Sequence, residues 1–393
     1  MIEIKPNVFY TGKIDWELRD FHGHELSTKR GSSFNSYLIK DEKHILVDTV
    51  WFPFKEEFKQ NLIDEIPQLD AIVINHMEPD HGGSLEIIMD ARPDLPIYCT
   101  KNGADIIKGH FHKDWDFRIV KTGDSLSTGK YTLRFVEMQM IHWPDSMMTY
   151  VDGAKLLLSN DAFGQHIAPE GLFDDQNDED AVIFEAYKYY VNILSPLNAL
   201  IKKKLDQIIA LNLDFDMIAP SHGVIWRTKP ALIIEKYLEW CQPVGDGSVC
   251  IIYDTMYETT RRMADEIAKG LDAEGVCYKI MNVSVTDRSD LIATIYGASG
   301  LIIGSCTVLN MALRETNSFL DDLRMFKMHS KLVASFGSYG WSGEAPKIIS
   351  EKLGLMGMKV FGEPFRVKFR PDSETTAQIV EFGRAFAREL NAK

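Results

Sequence analysis

The residues best equipped for chemistry in this chain are His76, Glu78, Asp80, His81, His142, Asp161 and His222, imidazoles and carboxylates spread over four short stretches. Imidazole nitrogen and carboxylate oxygen together suit divalent transition metals, and a set of this size can serve two ions side by side. A lone histidine or aspartate at the end of an apolar run is usually a hydrogen-bonded cap or a solvated loop residue. His22, His44, His110, His112, His166 and His329 are read that way. Packing offers no such reason for the alternation His76-Met-Glu78-Pro-Asp80-His81, whereas a dinuclear metal site does.

The elements that must position these donors share one grammar. Ala71 to Ile74 is a β-branched apolar run of the kind that forms a buried strand, and it leads into the acid and imidazole loop. Gly82-Gly83 then permits a sharp turn before a helical pattern at Leu85, Ile87, Ile88 and Met89. The run Leu133 to Met140 leads to His142, Leu156 to Leu158 leads to Asp161, and Met217 to Pro220 leads to Ser221-His222. Strand ends are rigid platforms, which a metal site needs.

These motifs, together with His142-Trp-Pro-Asp, Asn160-Asp-Ala-Phe-Gly and Ser221-His-Gly, resemble the metallo-β-lactamase superfamily, which commonly has histidine at the position of Glu78. Three carboxylates offset most of the charge of two divalent ions and favour iron over zinc. With glutamate there, the chain resembles the flavodiiron proteins, whose metallo-β-lactamase-like domain holds a non-haem diiron centre. The resemblance implies one Fe ion on His76, Glu78 and His142, the other on Asp80, His81 and His222, and Asp161 bridging. Family members differ in whether the imidazole at His81 points at the metal. The resemblance also brings His24 and the pair Tyr189-Tyr190 near the pocket, although aromatic residues on such a helix are ordinarily core.

A second unit follows. The helical segment Leu232 to Cys241 ends at the Pro/Gly cluster of residues 242–247, which sets domains at 1–245 and 246–393. Strands are expected at Val249 to Tyr253, Cys277 to Val283, Leu301 to Ile303, Leu332 to Ala334 and Lys359 to Phe361. Helices are expected from near Thr259, Asp287, Leu313, Glu344 and Ser373. That rhythm reads as a flavodoxin-like doubly wound parallel sheet, and for the first unit the resemblance implies a metallo-β-lactamase-like αββα sandwich.

In such a sheet the ligand sits beyond the carboxyl ends of the strands, where three loops fall. Thr255, Met256, Tyr257, Glu258, Thr259 and Thr260 open a helix, a ready anion site for a phosphate monoester. Ser305, Thr307, Val308, Leu309 and Asn310 form the second loop. The third holds Ser335, Phe336, Gly337, Ser338, Tyr339, Gly340, Trp341 and Gly343, with glycines that let backbone approach a flat ring and aromatics that can stack on it. The first and third resemble the FMN loops of flavodiiron proteins. Asp254 departs from the Ser or Thr of ordinary flavodoxins and is left out. No phosphate-binding G-x-x-x-x-G-K-[ST] loop and no G-x-G-x-x-G fingerprint occurs, which argues against ATP or NAD.

Composition excludes whole classes. A hydrophobic share of 45% with 25% charged residues is that of a globular protein, and the net charge of -14 argues against nucleic acid. No apolar run spans a membrane, no signal peptide is recognisable, and Cys99, Cys241, Cys250, Cys277 and Cys306 show no C-x-x-C pair, so a cytoplasmic protein is expected. Without such pairs the chain has no rubredoxin module, and its electrons must come from a separate donor: rubredoxin, a deazaflavin such as coenzyme F420, or another flavoprotein.

Reduced flavin and a diferrous pair hold two electrons each, enough to take O2 to water or to couple two NO to N2O. The reading is therefore an oxidoreductase for O2, NO or both, the resemblance adding a head-to-tail homodimer or a dimer of dimers. A dinuclear zinc hydrolase with an accessory flavodoxin domain is the alternative, and a flavin-only electron carrier a third class.

Overall fold

The computed structural model describes residues 1–242 and 245–392, and the chain divides into two compact units, Met1–Cys241 and Gln242–Lys393. Pro243 and Val244, in the expected linker, lie outside the described residues.

In the first unit two sheets pack face to face. One has seven strands, in spatial order Ile2–Lys5, Val8–Tyr10, Tyr37–Lys40, His44–Val47, Leu69–Val73, Ile97–Cys99 and Phe117–Ile119. The other has five: Ser125–Ser127, Thr132–Glu137, Met147–Asp152, Leu156–Asn160 and Met217–Pro220. Alternation along each strand decides which residues meet. Ile45 and Val47 face the second sheet, joining Leu133, Phe135, Leu156 and Leu158 in one core. Leu46, between them, faces the helix layer of Leu85, Ile88, Ala104 and Ile107. This is the αββα sandwich, and the strand ends that carry the polar residues of interest come together at one edge of it.

The second unit is a parallel sheet in the order Tyr278–Asn282, Val249–Asp254, Gly300–Ser305, Leu332–Tyr339, with Lys359–Val360 and Phe365–Lys368 both pairing the last of these. The order 2-1-3-4-5 is that of the flavodoxin-like doubly wound sheets. Five strands were expected; the fifth is split in two, and Phe365–Lys368 is the piece the sequence pattern did not mark.

Two other expectations change. Leu332–Tyr339 runs five residues beyond Ala334, because Phe336 is fully buried in the core of this unit and extends the apolar alternation. Gly82 and Gly83 do not make a turn with unusual backbone angles. A Cβ at Gly82 would lie 2.2 Å from Met77 Sδ, and one at Gly83 2.1 Å from the Pro79 carbonyl, so both are glycine for close approach.

The loop behind His222 is pinned by one buried carboxylate. Asp174 accepts hydrogen bonds from the backbone of Arg227, Thr228 and Lys229 and from the Thr228 hydroxyl. Asp174→Ala should strand these donors and lower stability by about 2–4 kcal/mol. Chemical denaturation would show it, and a loss under about 0.5 kcal/mol would mean that the loop is held elsewhere.

Candidate metal centre and flavin pocket

The site is assembled from five segments. After Leu69–Val73 the chain is fixed by Asp48, which accepts from Asn75 N (2.7 Å) and Asn75 Nδ2 (3.0 Å), while Thr149 donates to Asn75 Oδ1. That brace aims His76 and Glu78 inward. Asp80 and His81 sit in the first turn of the short helix Pro79–Gly82, with the His81 carbonyl held by the backbone and hydroxyl of Thr49. His142 follows Thr132–Glu137 on a loop, Asp161 follows Leu156–Asn160, and His222 follows Met217–Pro220.

All four imidazoles present Nε2 to carboxylate oxygens, in two groups. In the first, His76 and His142 each lie 3.2 Å from Glu78 Oε2, and 3.7 and 3.4 Å from Asp161 Oδ2. In the second, His81 and His222 lie 3.2 and 3.1 Å from Asp80 Oδ2, and 2.9 and 3.6 Å from Asp161 Oδ1. Asp161 thus gives one oxygen to each group. Donors that share an ion at roughly 2.1 Å stand roughly 3–3.5 Å apart, so each group has the spacing of a coordination sphere.

The hydrogen bonding also fits metal. Both Asp80 oxygens, Asp161 Oδ2 and His81 Nε2 are buried without a hydrogen-bond partner, a costly arrangement unless an ion completes it. His76 Nδ1 is 3.0 Å from Asp145 Oδ1 and His222 Nδ1 is 2.7 Å from the Ser33 carbonyl. Those acceptors fix the tautomer and leave each Nε2 lone pair for ligation. His81 differs: its Nε2 is close enough to serve either group, but its Nδ1 has no partner to set the ring.

Charge is tightly coupled here. Burial disfavours charged imidazole, yet Asp145, Glu78 and Asp161 hold His76 well above its ordinary pKa, and neighbouring carboxylates raise His81 and His142 to about 9. Burial likewise opposes ionised Glu78, but His142, His22 and His76 keep it ionised. Ligation by these nitrogens therefore requires that protons leave. Asp145→Ala should weaken metal retention about 10–100-fold by freeing His76 and the Met77 amide, which Asp145 also accepts at 2.7 Å. Competition with a chelator measures it, and unchanged retention would show that the ring is held by packing alone.

Around the donors, sequence reasoning erred at one histidine and passed over others. His24 is almost fully exposed beside Asp20, whereas His22 places Nε2 2.8 Å from Glu78 Oε1. His166 is buried next to the His222 ring (4.9 Å), with Nδ1 2.9 Å from Ser32 Oγ, and burial and His222 push it well below its ordinary pKa. Tyr189 meets the His166 ring edge-to-face at 5.0 Å, while Tyr190 turns away to Asn198 and Tyr237. Asp145 stands within the quoted His142-Trp-Pro-Asp motif, the one signal that could have flagged it. A cleft of about 450 Å³, lined by Phe21, His22, Trp51, Glu78 and Asp80 among others, opens onto the site.

In the second unit a pocket of about 560 Å³ lies beyond the strand ends. Of the expected residues it is lined by Thr255, Met256, Tyr257, Thr259, Thr307, Val308, Leu309, Ser338, Tyr339, Gly340 and Trp341, and Cys306, Phe369 and Arg370 join them. Several expected contacts do not line it. Thr260 is buried against Ser338, Ser305 caps Leu313 N, Ser335 bonds the Pro346 carbonyl and Phe336 is core. Glu258 pairs with Arg261, Asn310 accepts from Ser342, and Gly337 and Gly343 press on Ser305 and Tyr339. These residues shape the loops rather than the lining.

Comparison with known proteins places both units. Residues 33–223 match the family described as ODP family beta lactamase and residues 251–383 match Flavodoxin. The chain is 43% identical to an anaerobic nitric oxide reductase flavorubredoxin of Escherichia coli O1:K1 / APEC, over 99% of this chain and 82% of that protein. The structure resembles rubredoxin oxygen:oxidoreductase from Desulfovibrio gigas, with a TM-score of 0.95, 34% identity, and coverage of 100% of this chain and 98% of the other. It also resembles the flavodiiron protein from Giardia intestinalis, with a TM-score of 0.93, 30% identity, and coverage of 99% and 96%.

Proposed function

The chain belongs to the flavodiiron protein family, and from that membership we propose that it reduces O2 to water, NO to N2O, or both, with FMN in the second unit and two non-haem Fe ions in the first. The observation that carries the reading is the division of Asp161 between two imidazole and carboxylate groups, one oxygen to each. His76, Glu78 and His142 would hold one ion and Asp80, His81 and His222 the other. Bound together, the irons and the flavin supply the electrons for the reduction.

The chain's own residues do the rest. Three carboxylates hold the negative charge that two divalent ions need, in a setting where nearly every donor is buried. His22 engages Glu78 Oε1 and so leaves Oε2 turned toward His76 and His142. The cleft at Phe21, Trp51 and Glu78 admits a small diatomic to the buried donors. Tyr189 and His166, packed behind His222, are placed to influence which diatomic is favoured.

The zinc hydrolase alternative is set aside, since two of the relatives named above are a nitric oxide reductase and an oxygen oxidoreductase, and glutamate stands at 78. An electron carrier using only the flavin would have no use for the buried donors. We read the electron source as an external protein or coenzyme, the assembly as a head-to-tail homodimer, and the compartment as cytoplasm. Free cysteines support the last, and no described helix is long and apolar enough to cross a membrane.

Anaerobic stopped-flow mixing of the fully reduced, iron-loaded protein with O2 or NO tests the reading. Oxidation of flavin and iron by at least one gas is expected. Indifference to both would sink it, and hydrolase activity of a zinc-only preparation without reductant would reinstate the alternative.

A further inference from the structure

Two of the loops that carry metal donors are fastened to each other by a side chain that is not itself one of the seven. Gln165 is fully buried on the loop that begins at Asp161. Its amide oxygen accepts from Val224 N at 2.7 Å, just past His222, and its amide nitrogen donates to the Phe163 carbonyl at 2.9 Å, just past Asp161. The Gln165 backbone N donates to the His222 carbonyl at 3.2 Å. Glycine at 223 belongs to the same junction. Its φ is +76°, and a Cβ there would lie 2.0 Å from Gln165 Oε1 and 2.6 Å from the Gln165 carbonyl oxygen, so the loops meet with no room for a side chain between them.

The two loops do not depend on this link equally. The Asp161 loop has anchors of its own: Ser159 Oγ donates to the Ala162 carbonyl at 2.7 Å, Phe163 N to the Tyr237 hydroxyl at 2.9 Å, and Trp226 Nε1 to the Phe163 carbonyl at 2.9 Å. On the other loop Ser33 holds the His222 ring and the Gly223 amide, each at 2.7 Å. Val224 N, however, spends its hydrogen on the Gln165 amide, and removing that acceptor would strand a buried donor. The stretch that carries His222 is therefore the one that would move.

That movement would act on one spacing. His222 Nε2 stands 3.1 Å from Asp80 Oδ2 and 3.6 Å from Asp161 Oδ1, and the latter is the widest imidazole to carboxylate separation in the second group. It is set by how the loop after Asp161 lies against the loop after His222.

We propose that Gln165 is a positioning residue for the second ion: by tying Val224 to Phe163 it sets the distance of His222 from Asp161, and with it the affinity of the group formed by Asp80, His81 and His222. The inference rests on reading the two donor groups as metal sites. His76, Glu78 and His142 lie on neither of the joined loops, so the first ion should be held independently of Gln165.

The test uses the full-length protein, stripped of metal and reloaded anaerobically with isotopically enriched Fe(II) alone. In Gln165→Met, which keeps the volume and removes the amide, competition with a chelator should show one ion held about 10–100-fold less tightly than in wild type and the other unchanged. Gln165→Asn keeps an amide that is one methylene too short to span both loops, and it should shift the same affinity in the same direction. At limiting iron the Mössbauer spectrum of Gln165→Met should match that of His222→Ala and differ from that of His76→Ala.

Two irons held as in wild type in both variants, with only the stability of the metal-free protein lowered, would overturn the proposal and leave Gln165 a packing residue. Equal weakening of both ions would overturn it as well. Wild-type protein that took up no iron in either group would be evident before any variant was compared, and would defeat the metal-site reading instead.

Discussion

Replacing Asp161 by Asn is expected to leave a folded protein that retains at most one of the two irons and has lost most of its O2 or NO reduction. The side chain is almost wholly buried, its Oδ2 faces His76 and His142, and its Oδ1 faces His81 and His222 while accepting from Ser221 Oγ at 3.2 Å. Asn keeps the shape, so the neighbouring backbone need not move. It removes one negative charge and turns an N–H donor toward one of the two groups, where a lone pair is required. Four imidazoles would then converge on two carboxylates, and one group would lack its shared oxygen.

The loss should exceed the roughly 10–100-fold that removal of an outer hydrogen-bond partner costs, so it should exceed that of Asp145→Ala. Iron per chain by elemental analysis and magnetic coupling between the irons by Mössbauer spectroscopy are the readouts. A variant with two coupled irons would remove the bridging role from Asp161.

Gly337→Ala is expected to have the largest effect on the flavin. A Cβ there would lie 2.0 Å from the Ser305 carbonyl oxygen and 2.9 Å from Pro346 Cγ. The first contact is with the backbone of the neighbouring parallel strand, so no rotamer relieves it. Forcing the strands apart should cost about 1–3 kcal/mol or more and displace the loops at Cys306 to Leu309 and Ser338 to Trp341, which line the pocket.

The ratio of flavin absorbance to protein after gel filtration should fall well below that of wild type. Gly354→Ala is the matched control, because its Cβ would meet only Val360 Cγ2 at 3.5 Å, an ordinary contact, and the residue does not line the pocket. Full flavin retention and unchanged stability in Gly337→Ala would mean that the sheet can widen there without consequence.

Much of the site was legible because its donors are local. His76, Glu78, Asp80 and His81 fall within six residues, and each remaining donor follows an apolar run that ends in the polar loop where the structure has it. The flavodoxin-like order was legible for a similar reason, since alternating strands and helices leave few ways to wind a parallel sheet. Residues whose surroundings are made by distant segments were not. His22 and His24 have equally plausible neighbours in sequence, and only the short hairpin of Asp20–Phe21 with Leu26–Ser27 decides that His22 meets Glu78. Phe336 sits among loop-forming glycines, yet pairing with Gly304 makes it core.

By itself the sequence determined the donor types, their order along the chain, the preference of glutamate at 78 for iron, and the two successive folds. These follow from side-chain chemistry and from periodicities that repeat within a few residues. Only the tertiary structure decided how Asp161 divides its oxygens, that His81 lies within reach of both groups, which loop residues line the flavin pocket, and that Phe369 and Arg370 join them there. Those facts depend on sheet register, which brings together strands from distant parts of the chain, and no local pattern records that distance.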